Sequence, residues 1–192
     1  AKNGLVQIVM GVERLFDKDH KKLHTKHKNR NITLQALEAL EKYPKIYIIA
    51  SFIYGLPDDR KKDLKELRKF FRQDNFDFHF LLPYTPYPGT ADWKDYKDRF
   101  SPKDLRKWNL HNPVIRTKYM SKKELEKWYK SCFLYALTDR KYWKNILFAK
   151  YKRKRRIQKS IMKKLISALK NFVLNKLQCN TKNEYGIKPE WY

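Results

Sequence analysis

The sequence predicts an α/β protein in which three strands alternate with helices and are followed by a helical extension. Three apolar runs, at residues 5–10, 46–54 and 76–82, have the length of strands and end in glycine or proline. After the second run, residues 62–71 place apolar side chains at helical spacing. Strands separated by helices in this manner usually lie parallel in one sheet.

The first run, Leu5-Val6-Gln7-Ile8-Val9-Met10, closes on Gly11-Val12-Glu13, and we expect a strand over residues 1–13. The polar segment at 14–30 contains three histidines whose spacing would suit one helix face. A zinc site would need carboxylate or cysteine partners at ligand spacing, and none accompany them. We therefore interpret these histidines as solvated: His20, His24 and His27.

A helix is predicted next, from about Thr33 to Tyr43, because leucines recur at positions 34, 37 and 40. Asn31 or Thr33 is its expected N-cap. The following run, Ile46-Tyr47-Ile48-Ile49-Ala50, is apolar throughout, which is typical of a strand buried on both faces. This strand and the turn behind it are the centre of the predicted sheet.

Gly55 and Pro57 predict a tight turn after the central strand, with Asp58 and Asp59 capping the helix that follows. Four apolar residues of that helix fall on one face: Leu64, Leu67, Phe70 and Phe71. Three of the five glycines stand at strand ends, namely Gly11, Gly55 and Gly89. A glycine there serves either a sharp turn or the close approach of a ligand, and both interpretations stay open.

The chain becomes helical after Thr90. Ser101-Pro102-Lys103-Asp104 is a helix start, and Ser121-Lys122-Lys123-Glu124 is a capping box. The helix behind this box is expected to pack on the sheet through one apolar face: Leu125, Trp128, Tyr129, Cys132, Phe133 and Ala136.

The formal charge of +25 is concentrated at the C-terminal end, where residues 140–192 hold 16 Lys and Arg against 2 acidic residues. A long amphipathic stripe begins at Ile157 in the same region. We favour packing of this stripe on the protein itself or on a partner helix, with a membrane surface as the alternative. The charge favours RNA or an anionic membrane, although lysine is used freely in every part of the chain.

The composition also predicts a compartment. No run reaches the ~20 apolar residues of a membrane span, and the first ten residues lack a secretory pattern. The two cysteines, Cys132 and Cys179, lie far apart and match no metal-ligand spacing. We expect a cytoplasmic protein, with peripheral membrane association as an option.

Three strand ends, read together, resemble those of radical S-adenosylmethionine (SAM) enzymes. They are Met10-Gly11-Val12-Glu13, Phe52-Ile53-Tyr54-Gly55-Leu56-Pro57 and Pro86-Tyr87-Pro88-Gly89-Thr90, in that order. The resemblance covers roughly residues 5–145 and is closest to the subclass with a cobalamin-binding domain, such as the anaerobic magnesium-protoporphyrin ester cyclase and hopanoid-modifying proteins.

The resemblance implies a fold and a division of the chain. Residues 1–100 would form the last three βα units of a partial (β/α) barrel. Residues 101–150 would be a helical extension packed on that barrel, and residues 151–192 a basic amphipathic helix and tail. In the family, the CxxxCxxC motif on the first strand's loop binds a [4Fe–4S] iron–sulfur cluster, and this sequence has no such motif.

Because the CxxxCxxC motif is missing, the resemblance implies that this chain is the C-terminal part of such an enzyme and is inactive alone. The cofactor that it could still bind weakly would be SAM. The iron–sulfur cluster and any cobalamin would come only through a missing N-terminal part, which is the expected partner together with a small-molecule substrate. The alternative is a binding module that uses residues 140–177 on RNA or an anionic membrane. The sequence offers no catalytic and no metal-ligating residue for either hypothesis.

The resemblance also implies a set of site residues. Glu13 would accept hydrogen bonds from the ribose hydroxyls of SAM, Lys26 would pair with its carboxylate, and Ser51 would contact the ribose. The backbone of Phe52, Tyr54 and Gly55 would flank the adenine. Tyr84 and Tyr87 are candidates on the substrate side, with ordinary packing at the rim as the alternative.

Overall fold

The computed structural model describes residues 4–14, 30–73, 76–100 and 108–177. In the described residues the strands are β1 (Gln7–Glu13), β2 (Tyr47–Tyr54) and β3 (Phe78–Pro83). The α-helices are α1 (Arg30–Glu41), α2 (Lys61–Gln73), α3 (Ala91–Tyr96), α4 (Lys122–Thr138), α5 (Arg140–Phe148) and α6 (Lys152–Leu177), and a 3₁₀ helix spans Lys97–Arg99.

The three strands form one parallel sheet in the order β1-β2-β3. Ile49 of β2 lies opposite Val9 of β1 and Phe78 of β3, and Ser51 lies opposite Gly11 and Phe80. The register shifts between Gly11 and Glu13. The alternation of parallel strands with helices, followed by C-terminal helices, confirms the predicted α/β class with a helical extension.

One face of the sheet carries the main core. Ala50, Phe52 and Tyr54 are fully buried there. The four apolar residues predicted on one face of α2 all join this cluster, together with Leu125 and Cys132 of α4. The helix α4 begins with the predicted capping box, since Ser121 and Glu124 exchange side-chain and backbone hydrogen bonds. Lys61, 2.8 Å away, and Ser121 lower the pKa of Glu124 to about 2.

The other face of the sheet is covered near the amino ends of β2 and β3. Tyr47, Ile49 and Phe78 pack there against the apolar stripe of α6, which includes the buried Met162. The Tyr47 hydroxyl donates to Gln158 of α6. This packing confirms that the first half of the stripe packs on the protein itself. In the part of the chain that is described, no helix has the length and apolarity to cross a bilayer.

A buried histidine of β3 connects the sheet to α5. His79 of β3 stacks on Phe71 with ring centroids 4.2 Å apart, and its Nδ1 lies 2.5 Å from the hydroxyl of Tyr142 in α5. Burial lowers the pKa of His79 to about 3. The ring is therefore neutral at pH 7 and belongs to the core.

Some predicted boundaries differ from the structure. The helix α1 begins at Arg30, so Asn31 and Thr33 lie inside it and neither is its N-cap. Thr33 is instead buried against the body of the protein. The strand β1 begins at Gln7, later than the predicted strand over residues 1–13. The expected helix start at 101–104 and the three histidines lie outside the described residues.

We expect Phe52→Ala to lower the free energy of unfolding by about 3–5 kcal/mol, because it opens a cavity among Phe70, Phe71 and Phe76. Phe80→Ala is the matched control, since Phe80 is also a strand phenylalanine but is 44% exposed. It should change stability by less than about 1 kcal/mol in urea titrations followed by circular dichroism. Equal losses in the two variants would contradict the assigned faces of the sheet.

Candidate functional site

The candidate site lies where β1 and β2 end at their carboxyl termini, the edge at which parallel sheets bind ligands. Glu13 closes β1 with a φ of 64° and is partly exposed. It pairs in register with Phe52, so it is next to Ser51 on the neighbouring strand. The Ser51 hydroxyl donates to the Met10 carbonyl at 3.3 Å. The structure thus brings two predicted site residues close together, Glu13 at the end of β1 and Ser51 within β2.

Ser51 belongs to the half of the sheet face that α6 leaves open. We call Val9, Gly11, Ser51 and Phe80 the open face, because register places them on one side of three neighbouring strands. Val9 is 57% exposed and Phe80 is 44% exposed. The open face therefore combines a hydroxyl group with an accessible aromatic ring, next to the end of β1 at Glu13.

A buried ion pair lies next to the carboxyl end of β1. Arg14 and Asp59 are 2% and 3% exposed, and the Arg14 guanidinium donates to both carboxylate oxygens, at 2.5 and 3.2 Å. The same guanidinium donates to the Ile53 carbonyl at 3.0 Å. Charged groups this deeply buried are stable only when paired and hydrogen-bonded. The pair therefore ties the end of β1 to the turn after β2.

The Asp59 carboxylate also organises that turn. It accepts hydrogen bonds from the backbone N–H of Gly55 at 2.8 Å and of Leu56 at 3.1 Å. This differs from the predicted role as a helix cap, because these bonds and the ion pair run to groups that precede Asp59 in the chain. Asp63 makes the local bond at the start of α2, accepting from the Arg60 N–H at 2.8 Å. Asp58, the other predicted cap, is exposed.

Gly55 has a structural reason to be glycine. Its φ is +77°, and a Cβ there would meet the Leu125 side chain at 3.4 Å. Since its N–H is bound to Asp59, a contact with adenine would have to use a carbonyl oxygen of the turn. The carbonyl of Tyr54 already accepts from the Tyr84 N–H at 2.7 Å. The predicted contact between the backbone of this turn and adenine stays a prediction. The contact would have to be made by carbonyl oxygens, which accept hydrogen bonds.

The side chains of Phe52 and Tyr54 point into the main core. Tyr54 is fully buried, and its ring stacks on Tyr129 with centroids 5.7 Å apart. Any contact of these two residues with a cofactor is therefore limited to their backbone, as the resemblance implied.

The remaining candidates are not brought together. Tyr84 is buried with Leu56 and Ile115, and burial and a hydrogen bond with Asp92 raise its pKa. Tyr87 is 44% exposed in the loop that follows. Lys26 lies outside the described residues. The packing of Tyr84 agrees with the alternative of ordinary rim packing, and a role of Tyr87 in substrate binding stays a prediction.

The cysteines do not fit an iron–sulfur cluster. Cys132 is 1% exposed inside the main core, and burial raises the pKa of its thiol to about 12. A cluster ligand must be an accessible thiolate, so Cys132 would be an inert structural side chain. Cys179 lies outside the described residues. In the described ranges no group of three His, Cys, Asp or Glu residues is placed to hold a metal ion.

Sequence reasoning missed Arg14. One arginine among 45 Lys and Arg residues carries no signal of its own. The only available hint was its position directly after the strand end that the family resemblance singled out.

Comparison with known proteins supports the resemblance at the level of the superfamily, while the cobalamin-binding subclass stays a prediction. No family model matches the chain. Over 124 residues it is 28% identical to the bacteriochlorophyllide d C-12(1)-methyltransferase of Chlorobaculum tepidum, covering 65% of this chain and 27% of that protein. Over 74 residues it is 38% identical to a tRNA-2-methylthio-N(6)-dimethylallyladenosine synthase of Pseudomonas savastanoi, covering 35% of this chain and 17% of that protein.

A third relative is a ribosomal protein uS12 methylthiotransferase of Sulfurihydrogenibium, 28% identical over 104 residues, which are 53% of this chain and 24% of that protein. In each case the match spans about a quarter or less of the relative's length. The chain is thus related to methyltransferases and methylthiotransferases. That relationship supports the radical SAM superfamily at low identity and over part of each chain.

We expect Asp59→Asn to lower the free energy of unfolding by about 3–5 kcal/mol, because it removes the carboxylate charge that is paired with the buried Arg14 guanidinium. The adjacent exposed Asp58→Asn is the control and should stay within about 0.5 kcal/mol of the wild type. Urea titration measures both. The double variant Arg14→Met/Asp59→Asn should be less destabilised than the two single changes added together. Strict additivity would contradict the pairing.

The raised pKa of Cys132 predicts slow alkylation. At pH 8 its thiol stays protonated and shielded, so iodoacetamide should label it only after unfolding in urea. Mass spectrometry of the peptide that contains Cys132 measures this. Rapid labelling of that peptide in the native protein would show that α4 does not pack as described.

Proposed function

We propose that this chain supplies the C-terminal βα units of the barrel in a radical SAM methyltransferase or methylthiotransferase. Its adjoining strand ends would hold the nucleoside part of SAM. The observation that carries the proposal is that Glu13, at the carboxyl end of β1, lies next to Ser51 in the carboxyl-terminal half of the neighbouring parallel strand β2. The relationship to methyltransferases and methylthiotransferases supports the same class of enzyme.

The residues at this edge have the chemistry that a nucleoside needs. A carboxylate such as that of Glu13 can accept hydrogen bonds from the hydroxyls of a ribose, and the Ser51 hydroxyl, which donates to the Met10 carbonyl, can also accept one. Phe80 lies opposite Ser51 and presents an exposed ring, a surface on which a purine can stack. Bound SAM would supply the methyl group or the radical, while these residues bind and orient it.

We place the iron–sulfur cluster outside these 192 residues. The sequence lacks the CxxxCxxC motif, and Cys132 is buried in the core, so the residues present do not fit the cluster. An N-terminal part of the enzyme would carry it, and cobalamin would be bound there as well if this chain belongs to that subclass. The substrate of the whole enzyme would be a small molecule bound mainly by that part.

The open face and β1 offer a contact surface for such a part. Among the described strands, β1 has a neighbour on one side only. Leu5 and Val9 at this edge are 48% and 57% exposed. An edge strand with accessible apolar side chains pairs readily with another strand. We infer that the N-terminal part continues the sheet at β1 and covers these residues.

The proposal is tested by titrating the full 192-residue chain with S-adenosylhomocysteine, which needs no cluster to bind, and following the ligand by saturation-transfer NMR. We expect weak, saturable binding. Glu13→Gln should weaken it by about tenfold, since it removes a charged hydrogen-bond acceptor, and Ser51→Ala by a few-fold.

Glu38→Gln is the control, because Glu38 is an exposed carboxylate on α1, far in sequence from the strand ends. It should leave the affinity unchanged. Binding that Glu13→Gln and Glu38→Gln affect equally would contradict the assigned site. A complete lack of binding to the wild-type chain would contradict the presence of a SAM half-site on it.

A further inference from the structure

The short helix α5 presents large apolar side chains to solvent. Trp143, Leu147 and Phe148 are 40%, 61% and 74% exposed. With 3.6 residues per turn, the exposed cations Arg140 and Lys144 fall within the same arc of the helix. We call these five residues the α5 patch: Arg140, Trp143, Lys144, Leu147 and Phe148. The patch contains no acidic residue.

The α5 patch is held by a firmly anchored helix. Tyr142 and Ile146 on the opposite side of α5 are buried in the same apolar cluster as Tyr47, Ile49 and Phe78. Asp139 caps the helix by accepting from the Lys141 N–H at 2.8 Å. The indole Nε1 of Trp143 donates to the Leu137 carbonyl of α4 at 2.6 Å. Because the inner side is fixed in this way, the apolar residues of the patch cannot turn into the core.

The two C-terminal helices are strongly cationic. Residues 140–177 contain 14 Lys and Arg and no Asp or Glu. Five of these cations line one shallow surface along α6, at positions 152, 155, 156, 159 and 163. Such a density of positive charge attracts a polyanion or an anionic bilayer.

We propose that the α5 patch docks the protein on an anionic membrane surface. Trp143, Leu147 and Phe148 would enter the boundary between headgroups and acyl chains, while the cations of α5 and α6 face anionic headgroups. Contact with the phosphate backbone of RNA would leave Leu147 and Phe148 in water, so these two residues favour the bilayer. The apolar stripe of α6 does not insert, because its first half packs against Tyr47, Ile49 and Phe78.

The test is cosedimentation of the full 192-residue chain with vesicles of phosphatidylcholine, with and without about one third phosphatidylserine, near physiological salt. We expect binding to the anionic vesicles only. Leu147→Ser/Phe148→Ser should weaken it by about tenfold or more. Arg140→Gln and Lys144→Gln should each weaken it by about fivefold.

Ile32→Ser/Leu34→Ser on α1 is the matched control, because these residues are also large, apolar and exposed, at 46% and 37%. The control should bind like the wild type, and circular dichroism should show that all variants are folded. Brominated lipids should quench the fluorescence of the wild type more than that of Trp143→Phe.

Two results would overturn the proposal. If Leu147→Ser/Phe148→Ser binds anionic vesicles as tightly as the control, the contact is purely electrostatic and the α5 patch does not insert. If single-stranded RNA displaces the chain from the vesicles and binds it more tightly, the cationic surface serves nucleic acid. Neither result depends on whether the strand ends bind SAM, so this proposal and the proposed function fail independently.

Discussion

The buried pair of Arg14 and Asp59 connects the end of β1 to the turn after β2, at the edge where the candidate site lies. It connects the end of β1 to the Ile53 carbonyl and, through the other bonds of Asp59, to the N–H groups of Gly55 and Leu56. The backbone carbonyl of Asp59 also accepts from the Thr117 hydroxyl at 3.0 Å. Because both side chains of the pair are buried, loss of either charge would leave the other without the strongest ionic contact that the structure shows for it. Glu13, which directly precedes Arg14 in the chain, is held at the end of β1 by this pair.

Local pattern was enough to predict the elements of the fold. The apolar run at 46–50, the spacing of Leu64 and Leu67, and the capping box at Ser121 each act over a few residues, and the structure contains all of them. The role of Asp59 could not be predicted from local pattern. A carboxylate before a helix usually caps it, and only the tertiary fold brings the guanidinium of Arg14 across 45 positions of sequence.

The same limit applies to the helices that follow the sheet. The stripe of α6 has the pattern of a membrane-surface helix, and the sequence does not reveal that Tyr47 and Phe78 cover its first half. The apolar residues of α5 give no comparable signal, because a helix of nine residues is too short for a periodic pattern. Which apolar surface stays exposed is decided by packing between distant elements, here by the anchoring of Tyr142 beside His79.

These packing choices separate the two proposed activities in space. The helices α5 and α6 contact β2 and β3 through Tyr47, Ile49 and Phe78, which lie near the amino ends of the strands. The candidate SAM site lies at the carboxyl ends, and β2 rises about 23 Å from Tyr47 to Tyr54. A membrane bound by α5 would therefore approach from the end of the sheet that holds no predicted cofactor contact. The open face beside Ser51 would stay accessible to the N-terminal part of the enzyme.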